Sequence, residues 1–148
     1  MLEMLEQQPV LETLLVPIGG GGLIAGMAVA AKGVYPGIEV LGVQSERFAA
    51  MSQIIRRQKV HCDRYTVAEG IAVKNPGKLT REVVQQLVGD ILLVSEGDLE
   101  SAVLMLLQIE KTVVEGAGAC GLAALLKNRA RFKKKKVGLV LSGGNIDL

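Results

Sequence analysis

The 148-residue sequence predicts an α/β fold: an open parallel sheet of about four strands with helices on both faces. Three observations lead there. Short runs rich in Val, Ile and Leu lack the polar alternation of half-exposed strands, so both of their faces are buried. Longer segments with apolar residues at helical spacing separate these runs, as the crossovers of a parallel sheet require. Glycine-rich turns fall where strand-like runs give way to helical ones.

Each element follows in order. The opening MLEMLEQQP places Leu2 and Leu5 at the spacing of a helix. A domain seldom starts in mid-helix and stops just after a Gly-Gly turn, so the chain is expected to be a fragment of a larger core. Leu14 to Ile18 reads as a buried strand. Leu23, Met27, Ala30, Ala31 and Val34 then recur at helical spacing, with Gly33 and Pro36 as the stop signals. Glu39 to Gln44 is a second strand, and an amphipathic segment runs from about Arg47 to Gln58. The stretch HCDRYTVAEGIAVKNPGK is less regular, with a loop marked by Asn75, Pro76 and Gly77. Val83, Val84, Leu87 and Val88 place a helix before the strand Asp90 to Ser95. Ser95 and Asp98 have capping-box spacing, with Asp in place of the usual Glu or Gln, and Leu99, Ala102, Val103 and Leu106 form the stripe of the helix they would start. EGAGACG opens a helix to about Arg129, and Val137 to Leu141 is the last strand, leading into SGGNIDL. No repeat or low-complexity linker interrupts residues 1–148, so they read as a single α/β domain. Lys133 to Lys136, just before a strand, reads as a solvated loop.

Composition narrows the function classes. Hydrophobic residues make up 49 % of the chain and charged residues 22 %, a globular balance. A net charge of +2 is too small for a nucleic-acid or membrane-surface partner, and 3 % aromatics leave almost no platform for stacking bases. No apolar stretch reaches membrane-spanning length, and the N-terminus lacks the pattern of a signal peptide. Cys62 and Cys120 have no metal-type spacing and are expected to be reduced, inert thiols in a cytoplasmic protein.

The stretch VPIGGGGLIAGMAVAAKG sets four consecutive glycines between a strand and a helix. Such a run costs conformational entropy and persists where side chains would obstruct something. An anion held on free N–H groups at the positive end of a helix is one reading; a tight strand-to-helix turn with no ligand is the other. The run is neither G-x-G-x-x-G nor a P-loop. Ligands of open α/β sheets bind outside the carboxyl ends of the strands, where three loops should converge: Gly19 to Gly22, Glu115 to Ala119, and Ser142 to Asn145. The Ser142 hydroxyl can donate to or accept from a ring nitrogen, or simply cap its own turn.

PIGGGGLIAG, AEGIAVKNPG, VVEGAGA and LSGGNIDL, in this order and spacing, resemble the second half of the catalytic core of the threonine ammonia-lyases (threonine dehydratases), which are fold-type II pyridoxal-phosphate-dependent enzymes. The resemblance runs from about Val10 to Leu148. It implies the large-domain portion of that fold, pyridoxal 5′-phosphate as cofactor, and dehydration and deamination of L-threonine or L-serine to a 2-oxo acid and ammonia. By the same resemblance Gly19, Gly20, Gly21, Gly22 and the N–H of Leu23 grip the cofactor phosphate. Ser142 faces the pyridine nitrogen, and Glu115 lies near the cofactor. A neutral partner such as Ser142 leaves the ring unprotonated and makes it a weaker electron sink, which suits loss of a β-hydroxyl. A small amino acid is implied as substrate; separately, a fragment that leaves apolar surface uncovered is expected to self-associate as a homo-oligomer, most simply a symmetric dimer, with Leu2, Leu5 and Val10 as candidate contacts.

The departures are equally specific. The family's Schiff-base lysine lies in an upstream S-F-K-x-R-G motif, and nothing like it occurs here, so no catalytic residue is assigned and the chain alone is expected to be inactive. The family's upstream asparagine loop is absent too. Related racemases and eukaryotic serine dehydratases bind a cation after the second strand. Gln44 and Ala50 stand where carboxylates would be needed, so no metal is expected. The alternatives are a serine racemase-like enzyme and a non-catalytic module that binds some other phosphate ligand.

Overall fold

The computed structural model describes residues 1–145, so Ile146 to Leu148 of the SGGNIDL motif lie outside the described residues. Four parallel strands form one sheet: β1 (Thr13–Pro17), β2 (Glu39–Ser45), β3 (Asp90–Val94) and β4 (Val137–Leu139), in the order β3-β2-β1-β4. Thr13 stands opposite both Glu39 and Val137, and Leu41 opposite Asp90, so all the strands deliver their carboxyl ends to one edge.

Alternation along the strands builds two cores, because successive side chains point to opposite faces. Leu14, Val16 and Val40 pack with Ile24, Met27 and Ala31 of α2 (Gly22–Val34) and Val84 of α4 (Lys78–Leu87). Leu15, Leu41 and Val43 pack on the other face, against Leu99, Ala102 and Leu106 of α5 (Glu96–Gln108) and Ala117, Cys120 and Ala124 of α6 (Gly116–Lys127). Each such fully buried large side chain contributes about 1.5–3 kcal/mol, and both sheet faces are covered as expected.

Several element boundaries depart from the sequence reading. Gly33 lies inside α2; the stop comes from Pro36, which pushes Tyr35 into an extended conformation. The expected amphipathic segment divides at Ala49 into a 3-10 turn (Glu46–Phe48) and α3 (Ala50–Ile55). The last long helix ends at Lys127. The Asn128 side chain donates to the Ala124 carbonyl at 2.9 Å, and a short α7 (Arg129–Phe132) follows. The capping box forms with aspartate as its far member: the Ser95 hydroxyl accepts from the Asp98 N–H at 3.2 Å, and the Asp98 carboxylate accepts from the Ser95 N–H at 2.9 Å.

Leu5 is a correction. In α1 (Leu2–Gln7) the helical phase turns Leu5 inward to 7 % exposure, in the same core as α2, so it offers no surface contact. Leu2 and Val10 remain open, at 54 % and 50 %.

Charges gather at the amino end of the sheet. Arg131 reaches Glu39 at 2.9 Å and Asp90 at 3.3 Å, Arg56 reaches Asp90 at 3.4 Å, and Lys135 reaches Glu39 at 3.4 Å. Lys133 to Lys136 are otherwise solvated, as expected of that run. Among the described residues no helix is long and apolar enough to cross a membrane.

Candidate functional site

Leaving β1, the chain makes the tetraglycine turn and enters α2 directly, with no side chain capping that helix. The glycines divide into two kinds. Gly21 has φ of +93°, and a Cβ there would lie 2.9 Å from both Cβ and Oγ1 of Thr80 and 2.7 Å from Cε of Met51. A Cβ at Gly19 would come within 3.1 Å of the Ile71 Cα. Gly20 and Gly22, by contrast, have nothing within 4 Å of such an atom. Two positions therefore need glycine for fit, and two border open space.

The backbone of the turn is polarised. Among the described residues no protein acceptor takes the N–H of Gly19, Gly20, Gly21, Gly22 or Leu23. The Gly20 carbonyl, in contrast, accepts from the Thr80 hydroxyl at 2.7 Å and from the Gly77 N–H at 3.2 Å. Unclaimed N–H groups at the positive end of a helix form an anion site. The Asn75-Pro76-Gly77 loop thus has a task that sequence reasoning did not give it: Gly77 and Thr80 hold the outer side of the turn.

The three loops expected at the carboxyl edge do meet. A cavity of about 230 Å³ is lined by Gly19 to Gly22, Leu23, Gly70, Glu115 and Ser142, among others. Glu115 precedes α6; its N–H donates to the Gly143 carbonyl at 3.0 Å, which docks the Ser142 to Asn145 loop beside the glycine turn. Its half-buried carboxylate lies between Gly70 and Gly143. A Cβ at Gly70 would approach it to 2.9 Å, and one at Gly143 would fall on it. Gly116 is needed where α6 begins, since a Cβ there would fall on the Val67 carbonyl. Ser142 sits exposed at the rim. A larger cavity of about 560 Å³ adjoins, sharing Gly70 and Glu115 and reaching Asn145, Tyr65 and Glu100. No lysine lines either cavity.

Other supporting residues carry no motif. Glu96 at the start of α5 accepts from the hydroxyls of Ser45 at 2.9 Å and Thr66 at 2.8 Å, and from the Val67 N–H at 2.7 Å, fixing the irregular segment that leads to Gly70. Gln44 is fully buried: its amide donates to the carbonyls of Ile18 and Phe48, both at 3.2 Å, and its oxygen accepts from the Ser52 N–H at 3.0 Å. Those three bonds make Gln44 a cross-link between strand ends. Burial pushes the Cys120 thiol up to about 12, far from thiolate chemistry at neutral pH, and burial likewise raises Cys62 despite the nearby charge of Lys74.

Comparison with known proteins bears on this geometry. A family model described as "Pyridoxal-phosphate dependent enzyme" matches residues 1–143. The chain is 46 % identical to the L-threonine ammonia-lyase of Thermotoga maritima over 149 residues, covering 99 % of the chain and 37 % of that protein. It is 44 % identical to the catabolic L-threonine dehydratase TdcB of Escherichia coli K12, covering 99 % of the chain and 46 % of that protein. Among solved structures, a threonine deaminase of T.th. superposes with a TM-score of 0.91 at 35 % identity, over 99 % of this chain and 55 % of the other. Maize serine racemase gives 0.91 at 38 % identity, over 99 % and 48 %. The chain thus spans less than half the length of the two curated relatives.

Proposed function

We propose, on the premise that the chain belongs to the pyridoxal-phosphate-dependent enzyme family, that it forms the cofactor-holding half of an L-threonine or L-serine ammonia-lyase. One observation carries this reading: Gly19 to Leu23, whose N–H groups are unclaimed among the described residues, line a cavity that Ser142 and Glu115 also line. An anion of phosphate's size and charge matches that donor set, and the open space beside Gly20 and Gly22 leaves room for it. When bound, the cofactor ring withdraws electrons from the substrate's α-carbon, so that the α-proton and β-hydroxyl can leave and hydrolysis gives a 2-oxo acid and ammonia.

The chain's own residues then take these roles. Gly19, Gly20, Gly21, Gly22 and Leu23 donate backbone N–H groups to the phosphate, and the dipole of α2 adds its field. Ser142 places a neutral hydroxyl at the ring nitrogen. Glu115 holds the Ser142 loop through its N–H and sets its carboxylate on the cavity wall beside Gly70. No lysine lines the cavities, so proton transfer at the α-carbon depends on a residue outside this chain.

The likeness to maize serine racemase supports a racemase as second reading. Against it, Gln44 stands where the resemblance to racemases would call for a carboxylate, and its three hydrogen bonds all go to protein groups. A homo-oligomer joined through the exposed Leu2 and Val10 is also proposed; a sharp monomer boundary in sedimentation at micromolar concentration, unchanged in Leu2→Glu, would refute it.

Titration separates the readings. Pyridoxal 5′-phosphate should bind, inorganic phosphate should displace it, and pyridoxal without the phosphate should bind far more weakly. The chain alone should form no 2-oxobutyrate from threonine. Equal binding of pyridoxal and its phosphate ester would sink the cradle; turnover lost on replacing one of the chain's own lysines would sink the claim of inactivity.

A further inference from the structure

We infer that Thr80 is a positioning residue for the anion cradle, fixing the peptide plane between Gly20 and Gly21 from the first turn of α4; this rests on the phosphate reading above. A trans peptide unit is planar, so its C=O and N–H point in opposite directions. The Gly20 carbonyl is held toward α4 by the Thr80 hydroxyl at 2.7 Å and the Gly77 N–H at 3.2 Å. The Gly21 N–H, on the far side of that same plane, is therefore turned away from α4. Gly21 lines the cavity; Thr80 and Gly77 do not.

The clamp is needed because glycine flanks both ends of this peptide unit. With no Cβ on either side, rotation of the plane meets little steric barrier. A flipped unit would present a carbonyl oxygen to the anion in place of an N–H, turning attraction into repulsion. The Thr80 hydroxyl has one proton, and although it also lies 3.0 Å from the Gly77 carbonyl, the shorter contact to Gly20 takes it. Gln44 applies the same logic two peptide units earlier. Its amide holds the Ile18 carbonyl at 3.2 Å and so turns the Gly19 N–H the other way. The Gly19 and Gly21 N–H groups are thus aimed by side chains that do not line the cavity.

The test uses inorganic phosphate as probe, with affinity read by calorimetry and the Gly21 amide followed by NMR. Thr80→Val keeps the shape and removes the donor; Thr80→Ser keeps the donor. Thr80→Val should bind phosphate about tenfold more weakly, a loss equivalent to roughly 1.4 kcal/mol. Thr80→Ser should recover most of that loss, and both variants should melt close to the unsubstituted chain without phosphate. In the unsubstituted chain, phosphate should shift the Gly21 amide resonance strongly, a readout that stands even if Thr80→Val fails to fold. Unchanged affinity in Thr80→Val, equal losses in Val and Ser, or a silent Gly21 amide overturns the clamp while leaving the cradle intact. No phosphate binding by the unsubstituted chain overturns both.

Discussion

Replacing Gly21 by alanine perturbs the one described glycine with a positive φ. At +93° a side chain meets left-handed backbone strain of about 1–2 kcal/mol. The new Cβ also lies 2.9 Å from Cβ and Oγ1 of Thr80 and 2.7 Å from Cε of Met51. Met51 ends in a flexible methyl and can yield. Thr80 cannot, because its Cβ is fixed to α4 and its hydroxyl is committed to Gly20. Overpacking of that kind costs about 1–3 kcal/mol. Reduced freedom of the unfolded chain returns about 0.4–1 kcal/mol, leaving a net loss of roughly 1–4.6 kcal/mol. For a domain of this size each kcal/mol moves the melting temperature by about 2–4 °C, so a fall of roughly 2–18 °C is expected. Gly22→Ala is the control, at the first position of α2 with no atom near its Cβ. Melting scans of the two variants should differ sharply. Gly21→Ala melting with the unsubstituted chain, or Gly22→Ala melting as low as Gly21→Ala, would refute the division of the glycines into fit and clearance.

Three further outcomes are expected. Ser95→Ala removes the capping-box hydroxyl of α5 and should cost about 1 kcal/mol in urea unfolding, with Ser95→Thr recovering most of it. For Glu39, burial raises the pKa, but the Arg131 hydrogen bond and the charges of Lys135 and Arg131 outweigh it. In Asp98, burial is outweighed in the same way by the Ser95 N–H and hydroxyl and by Lys127, so both carboxyls titrate below their ordinary values. Their contribution is present above the ordinary carboxylate range of about pH 4 and is lost as pH falls through the lowered values, so the urea midpoint should drop on acidification. Glu39→Gln with Asp98→Asn should flatten that drop, and an unchanged pH profile in the double variant would exclude these groups. Alkylation at pH 8 should label Cys62 slowly and spare Cys120 until the chain unfolds, as mass spectrometry with and without urea would show.

The features legible in the sequence are those whose cause is local. Strands buried on both faces show as unbroken apolar runs, so all four strands could be read from the chain alone. The glycine run, the Ser95–Asp98 spacing and the convergence of three loops at the carboxyl edge were readable for the same reason, since each follows from nearby residues or from a general rule of parallel sheets. Leu5 was misread because two leucines do not fix which side of a short helix meets the core. The break at Ala49 escaped because a 3-10 turn and a helix in succession share one amphipathic pattern. Thr80, Gln44 and Glu96 carried no signal at all. The groups through which they shape the site (the Gly20 carbonyl, the Ile18 carbonyl and the Ser45 hydroxyl) lie 60, 26 and 51 residues away, so local sequence does not announce them. Gln44 was legible as a missing carboxylate and not as a cross-link, because its bond to the Ile18 carbonyl appears once β2 and β1 are side by side.

On the phosphate reading, that distribution explains how a run of glycines could form a selective site. Four glycines supply clearance and N–H groups, but the same freedom lets their peptide units rotate, so the turn cannot hold its own shape. The shape is imposed from outside: by Gln44 on the Ile18 carbonyl, by Gly77 and Thr80 on the Gly20 carbonyl, and by Ile71 and Met51 packed around the glycine α-carbons. Donors already aimed before a ligand arrives need no reorganisation on binding, which is where preorganised sites gain their strength. On the phosphate reading, anion affinity therefore depends on α4 staying docked beside α2, where Val84 joins the core that α2 shares.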